Sequence, residues 1–101
     1  MLILSTSFLV DESAADIWKQ WVKTVFITYL CHSSAEVGQV LFCKVHTDAQ
    51  QDGQTFSLQI QFTDLESLER FSHEIYPQCE QLMNRKFSSN FLSFQTVLEP
   101  I

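Results

Sequence analysis

The chain has 101 residues and a formal net charge of −6, from twelve acidic and six basic side chains, and 46% of it is hydrophobic, including nine Phe and two Trp. That length makes one domain, 1–101, with enough apolar side chain for its own core, and the composition is too apolar and too weakly charged for a disordered segment. The basic residues, Lys19, Lys23, Lys44, Arg70, Arg85 and Lys86, are scattered along the sequence. Gripping a phosphate backbone or an anionic bilayer needs them clustered, so the charge pattern speaks against nucleic-acid and membrane partners.

Residues 2–10 read as a strand, with Leu2, Leu4, Thr6, Phe8 and Val10 on one face and Ile3, Ser5, Ser7 and Leu9 on the other. Asp11-Glu12-Ser13 opens a helix, with Ser13 the expected N-cap and Asp16 near the positive end of the dipole. Its apolar stripe is Ile17, Trp18, Trp21, Val22, Val25, Phe26 and Tyr29. The helix ends at Cys31-His32-Ser33-Ser34, and Gly38 leads into a second strand over 39–47. A polar loop covers 48–53, with Asp52-Gly53 as a turn pair. The third strand, 55–62, has the cleanest alternation, with Phe56, Leu58, Ile60 and Phe62 against Ser57, Gln59 and Gln61. Thr63 and Glu66 form a capping box for a second helix with the stripe Leu65, Leu68, Phe71, Ser72, Ile75, Cys79 and Leu82. Pro77 removes a backbone donor there, which predicts a kink or break near Tyr76. A last strand spans 91–99, with Leu92, Phe94 and Leu98 expected in the core.

The order is β-α-β-β-α-β, the ferredoxin-like α+β arrangement: both helices cover one face of a four-stranded antiparallel sheet of order 4-1-3-2. The opposite face is left uncovered. It is expected to carry Ile3, Ser5, Ser7 and Leu9, Gln59 and Gln61, and Phe91, Ser93, Gln95 and Val97, small or polar in the middle, apolar toward the ends, and with almost no charge. A solvated face normally carries several charges, so this one predicts a homodimer formed by stacking two sheets.

Several segments carry a family resemblance: Trp18-Lys19-Gln20-Trp21, Leu68-Glu69-Arg70-Phe71, Tyr76-Pro77 and the tail Phe91-Leu92-Ser93-Phe94-Gln95-Thr96-Val97-Leu98-Glu99. Over essentially its whole length the chain resembles a family of short bacterial proteins, found mainly in Bacteroidota, that is known only as a domain of unknown function. The resemblance implies the dimeric α/β-barrel fold, in which two ferredoxin-like subunits pair sheet to sheet, and implies no activity. The family pattern closes the first helix with His-Ile-Pro where this chain has Phe26-Ile27-Thr28, so no functional residue is carried over.

The residues themselves point to little chemistry. Cys43-x-x-His46 has an odd separation, which on a strand sends the two side chains to opposite faces, so no metal site is expected. His73 falls off the core stripe, four residues after Glu69, as a solvated histidine would. His32 beside Cys31 is a base next to a nucleophile, but adjacent side chains rarely aim at one point. With glycine only at positions 38 and 53 there is no phosphate-cradling loop, and no cofactor is expected. Cys31, Cys43 and Cys79 are odd in number and widely spaced, as reduced thiols are. The N-terminus lacks a basic n-region and no apolar run approaches the roughly 20 residues of a membrane span, so the expected location is cytoplasmic.

These readings lead to a homodimeric, non-catalytic or small-molecule-binding protein whose interior is lined by Ser5, Ser7, Gln59, Gln61, Ser93 and Gln95. Hydroxyls and amides among apolar neighbours suit a small neutral or weakly polar ligand. The alternatives are a cofactor-independent enzyme of the dimeric-barrel type, monooxygenase- or isomerase-like, with His32, His46 or Tyr76 reaching the cavity, and a protein-interaction module.

Overall fold

The computed structural model describes residues 1–47 and 52–101, so the polar loop expected at 48–53 lies outside the described residues except for Asp52 and Gly53. Four strands, β1 (Leu2–Val10), β2 (Val40–Val45), β3 (Gln54–Phe62) and β4 (Phe91–Leu98), alternate with helical runs over 15–33 and 65–87. The order is β-α-β-β-α-β, and the antiparallel sheet runs β2-β3-β1-β4. This is the ferredoxin-like α+β fold the alternation predicts.

Strand periodicity places the core. Leu4, Thr6, Phe8 and Val10 of β1 and Phe56, Leu58, Ile60 and Phe62 of β3 are each 2% exposed or less, under the two helices. Trp18 sits at the centre of the aromatic packing, with ring centroids 5.1 Å from Phe8, 5.0 Å from Phe56 and 5.8 Å from Phe42.

Both helices contain a π segment, Val22–Phe26 in the first and Phe71–Ile75 in the second. In the first, the buried residues Trp18, Val22, Phe26 and Leu30 recur every four positions. On an α-helix turning about 100° per residue, such a row drifts by about 40° per step and leaves the core within a few steps. The wider i→i+5 turns of the π segment hold the row straight. The stripe expected from a 3.6-residue period is therefore too broad: Ile17, Val25 and Tyr29 lie on the outside, 65%, 46% and 39% exposed. In the second helix the core row runs through Leu68, Phe71, Tyr76, Cys79, Met83 and Phe87, with its five-residue step across the π segment, and Leu65 stays outside. Pro77 is the second residue after that segment. The expected interruption near Tyr76 takes the form of a widened turn, which accommodates the ring's clash with the carbonyl four residues back.

Two caps differ from the sequence expectation. The first helix begins at Ala15 behind a turn in which the Ala14 N–H donates to the Asp11 carbonyl at 3.0 Å, and Ser13 caps nothing. In the second helix the N-cap is Asp64, one residue after Thr63, with its carboxylate accepting the Ser67 N–H at 2.8 Å.

The last strand also differs, and here the difference matters for function. Directly opposed residues of an antiparallel pair share a face. β4 pairs with β1 as Val10–Phe91, Phe8–Ser93, Thr6–Gln95 and Leu4–Val97. Phe91, Ser93, Gln95 and Val97 therefore lie on the helix side, and Leu92, Phe94 and Leu98, expected in the core, lie on the uncovered face. Phe91 packs 6.2 Å from Phe8, and the Gln95 amide donates to the Thr6 hydroxyl at 3.2 Å. The register is held where the strand begins: the Asp11 N–H donates to the Asn90 carbonyl at 2.8 Å.

Candidate functional site

The uncovered sheet face is built by residues alternating with the core. From β1 come Ile3, Ser5, Ser7 and Leu9; opposite them on β3 stand Gln61, Gln59, Ser57 and Thr55. From β2 come Leu41, Cys43 and Val45, opposite Gln59, Ser57 and Thr55. Phe94, Thr96 and Leu98 of β4 oppose Ser7, Ser5 and Ile3. No residue of this face among the described ones is charged, in a chain of net charge −6.

The face has a pattern across the strands. Between Ile3 and Leu9 at the two ends of β1, its two inner strands present hydroxyls and amides, with Ser5, Ser7 and Ser57 as the shortest side chains at the centre. Its outer strands present large apolar groups: Leu41 is 52% exposed on one side, and Leu92, Phe94 and Leu98 are 61%, 68% and 40% exposed on the other. Of the six residues expected to line an interior, Ser5, Ser7, Gln59 and Gln61 lie together here. Ser93 and Gln95 do not, because the β1–β4 register turns them toward the helices. Ser57 and Thr96 stand on the face instead. The sequence signal that separates the two faces of β4 is weak, since one carries three large apolar residues (Leu92, Phe94 and Leu98) and the other two (Phe91 and Val97).

Gln95, itself exposed, bonds a buried polar pair on the other side of the sheet. Thr6 is 1% exposed and Tyr76 is 4% exposed. Burial pushes the Tyr76 hydroxyl well above its usual range, with hydrogen bonds to the Thr6 and Gln95 side chains opposing the shift. A phenol held protonated in this way donates a hydrogen bond and does not act as a base at neutral pH. The Cys79 thiol is likewise pushed up, to about 11, by burial, which keeps it an inert apolar side chain. Cys31, Cys43, His32, His46 and His73 are on the surface. Among the described residues, no group of three or more His, Cys, Asp or Glu is placed to hold a metal ion, and no helix is long and apolar enough to cross a membrane.

A second concave region lies on the helix side of the sheet, against the outer strand β2. It is a groove of about 450 Å³ lined by Lys19, Lys23 and Ile27 of the first helix, Phe42, Cys43 and Lys44 of β2, and Phe56 of β3. Three of the six basic residues, scattered in the sequence, come together here. Lys19, Lys23 and Ile27 form a second four-residue row beside Trp18, Val22 and Phe26, kept straight by the same π segment. The Lys44–Phe56 and Phe42–Leu58 pairs turn Lys44 and Phe42 to the helix side.

The fold and this face define a ferredoxin-like α+β domain with one sheet side covered by helices and the other neutral and open. The chain belongs to the family described as domain of unknown function DUF4286, whose model matches residues 1–101. No curated protein matches the sequence. Among solved structures, HapK from Hahella chejuensis superposes with a TM-score of 0.70 at 16% identity, covering 100% of this chain and 93% of that one. A protein of the ethyl tert-butyl ether d (EthD) family from Bacillus halodurans gives 0.71 at 9% identity, covering 100% of both chains. SnoaB, a cofactor-independent oxygenase from Streptomyces nogalater, gives 0.63 at 10% identity, covering 99% of this chain and 92% of that one. At these identities the likeness is one of fold.

Proposed function

We propose that the protein works as a homodimer whose subunits stack their uncharged sheet faces and hold a small neutral or weakly polar molecule between them. The observation that carries this reading is the face itself, polar but uncharged along its two inner strands and apolar along its two outer ones. Burying a large apolar side chain is worth about 1.5–3 kcal/mol, a gain that Leu41, Leu92, Phe94 and Leu98 leave unrealised in a single subunit. Stacked sheets sit about 10 Å apart. At that distance the long side chains of the outer strands meet, whereas Ser5, Ser7 and Ser57 leave space at the centre. That space is bounded by hydroxyls and by the Gln59 and Gln61 amides, which orient a ligand by hydrogen bonds without charge.

Binding fits this face better than catalysis. A cofactor-independent enzyme needs an acid or base within reach of the bound molecule, and the titratable group on the face among the described residues is the Cys43 thiol. A thermal-shift screen with neutral small molecules checks the reading. Compounds that raise the melting temperature of the wild-type protein are expected to lose that effect in the Gln59→Leu/Gln61→Leu double variant. A rise that survives in the double variant, or no rise with any compound, would count against an inter-sheet site.

A further inference from the structure

The groove on the helix side is a different environment from the sheet face, and the neutral-ligand reading makes no use of it. Its floor is aromatic: Phe42 and Phe56 stack with ring centroids 5.8 Å apart and planes 23° apart. Its walls carry three ammonium groups. Lys19 is half-buried, while Lys23 and Lys44 are exposed. Among the described residues, no acidic one lines the groove, and no carboxylate ion-pairs with any of the three lysines. In a chain with twice as many acidic as basic residues, chance placement favours a carboxylate beside each lysine, not three lysines around one apolar floor. Like charges gathered against a low-dielectric wall focus a positive potential into the cleft and draw in an anion. The volume is within the range of small-molecule sites, about 300–1,000 Å³.

We propose that this groove binds a small organic anion with an apolar body. The body lies on the half-buried Phe42, which Phe56 backs from the core, with Ile27 at one end, and the carboxylate or similar group is held by Lys19, Lys23 and Lys44. Each lysine supplies a charge-assisted hydrogen bond, and flexible ammonium groups accept a range of anion geometries. The apolar floor adds a requirement that simple charge attraction lacks: an inorganic anion meets the lysines and leaves the rings uncovered. The site is complete within one subunit and lies on the opposite side of the sheet from the proposed dimer interface, so it does not depend on dimerisation.

The floor also supplies a reporter. Trp18 packs against both Phe42 and Phe56, and its buried indole N–H has no protein acceptor. Occupation of the groove is therefore expected to change tryptophan emission. The experiment is a titration of the full chain at low salt with 2-naphthoate, its neutral counterpart 2-naphthol, and inorganic phosphate, followed by calorimetry; the Trp18 emission change is read separately in a Trp21→Phe variant with cyclohexanecarboxylate, which does not absorb in the tryptophan band. Naphthoate is expected to bind at least about tenfold more tightly than naphthol or phosphate, with affinity falling as salt is raised. The Lys19→Gln/Lys23→Gln and Lys44→Gln variants are expected to weaken it by about tenfold or more. Lys86→Gln, at a lysine that lies over the Phe87 ring 5.9 Å from its centroid and does not line the groove, is expected to leave it unchanged. Circular dichroism checks that each variant is folded. Equal binding of naphthoate and naphthol, phosphate binding as tight as naphthoate, or folded lysine variants with wild-type affinity would each overturn the proposal.

Discussion

At the scale of single residues, two positions hold more than their size suggests. Gly53 has φ +139°, a backbone conformation costly for any side chain, and an added Cβ would run into the Val10 carbonyl oxygen. It closes the approach of β3 to the end of β1. Gly53→Ala is expected to destabilise the fold by about 1–3 kcal/mol, read from the midpoint of urea unfolding; a change within about 0.5 kcal/mol, the range of ordinary surface substitutions, would contradict the close approach. Tyr76 is the other. Its hydroxyl bonds the buried Thr6 and the exposed Gln95 at the edge of the sheet–helix interface, so Tyr76→Phe takes one bond from the buried Thr6 hydroxyl. The expected cost is about 1–3 kcal/mol, and a variant as stable as wild type would show the group to be satisfied without it. The sequence marks Gly53 as a turn residue but not its approach to Val10, and it does not show the burial of Tyr76. Tyr76, a candidate for the inter-sheet cavity in the enzyme alternative, is drawn instead under the helices by the five-residue step from Phe71 that the π segment creates.

At the scale of elements, the face assignment of β4 has a direct test. Phe91 packs on Phe8 beneath the helices, while Phe94, three residues on, stands 68% exposed on the open face. Phe91→Glu is expected to abolish the cooperative unfolding transition, because it puts a charge into the core edge. Phe94→Glu is expected to keep the circular dichroism spectrum of a folded chain. The reverse pattern would restore the assignment that the strand's own hydrophobicity suggests. That assignment fails for a physical reason. β3 has one face wholly apolar and β1 one apolar but for Thr6, so alternation alone orients them, whereas β4 divides its large apolar residues between both faces and only pairing with β1 decides. β2 has the same ambiguity, which hid the convergence of Lys44 with Lys19 and Lys23.

The entry to the second helix makes a prediction for pH. Asp64 accepts from the Ser67 N–H, and Glu36 bonds Ser67 and Arg70, the latter at 2.5 Å. The Ser67 hydrogen bonds lower the Asp64 carboxyl below its ordinary 3.8, and those to Ser67 and then Arg70 lower Glu36 below its ordinary 4.5. A carboxylate held lower in the folded than in the unfolded chain contributes fully above the unfolded value and loses that contribution as pH falls through the folded one. Stability is therefore expected to decline once pH drops below these ordinary values, with a shallower decline in Glu36→Gln and Asp64→Asn. Equal slopes in wild type and variants across that window would show that other groups govern the acid limb.

At the scale of the molecule, the sheet divides two environments. On the helix side lie the aromatic core and, against β2, a cationic groove. On the other side lies a neutral face whose apolar outer strands have nothing to pack on within one subunit. The element order, the sheet order and the bareness of that face were readable from alternation and from the right-handed crossover rule. The apolar outer strands were not, because they depend on the registers of β2 and β4. Once those registers are in place, the case for a partner at this face is stronger than composition made it: Leu92, Phe94 and Leu98 move from the core to the surface where two copies would meet. The central claim is that this surface joins two copies of the chain, and static light scattering at micromolar concentration tests it most directly. A mass of twice 11.7 kDa that falls to a single chain in the folded Phe94→Glu variant is the predicted result; a wild-type mass of 11.7 kDa would contradict it.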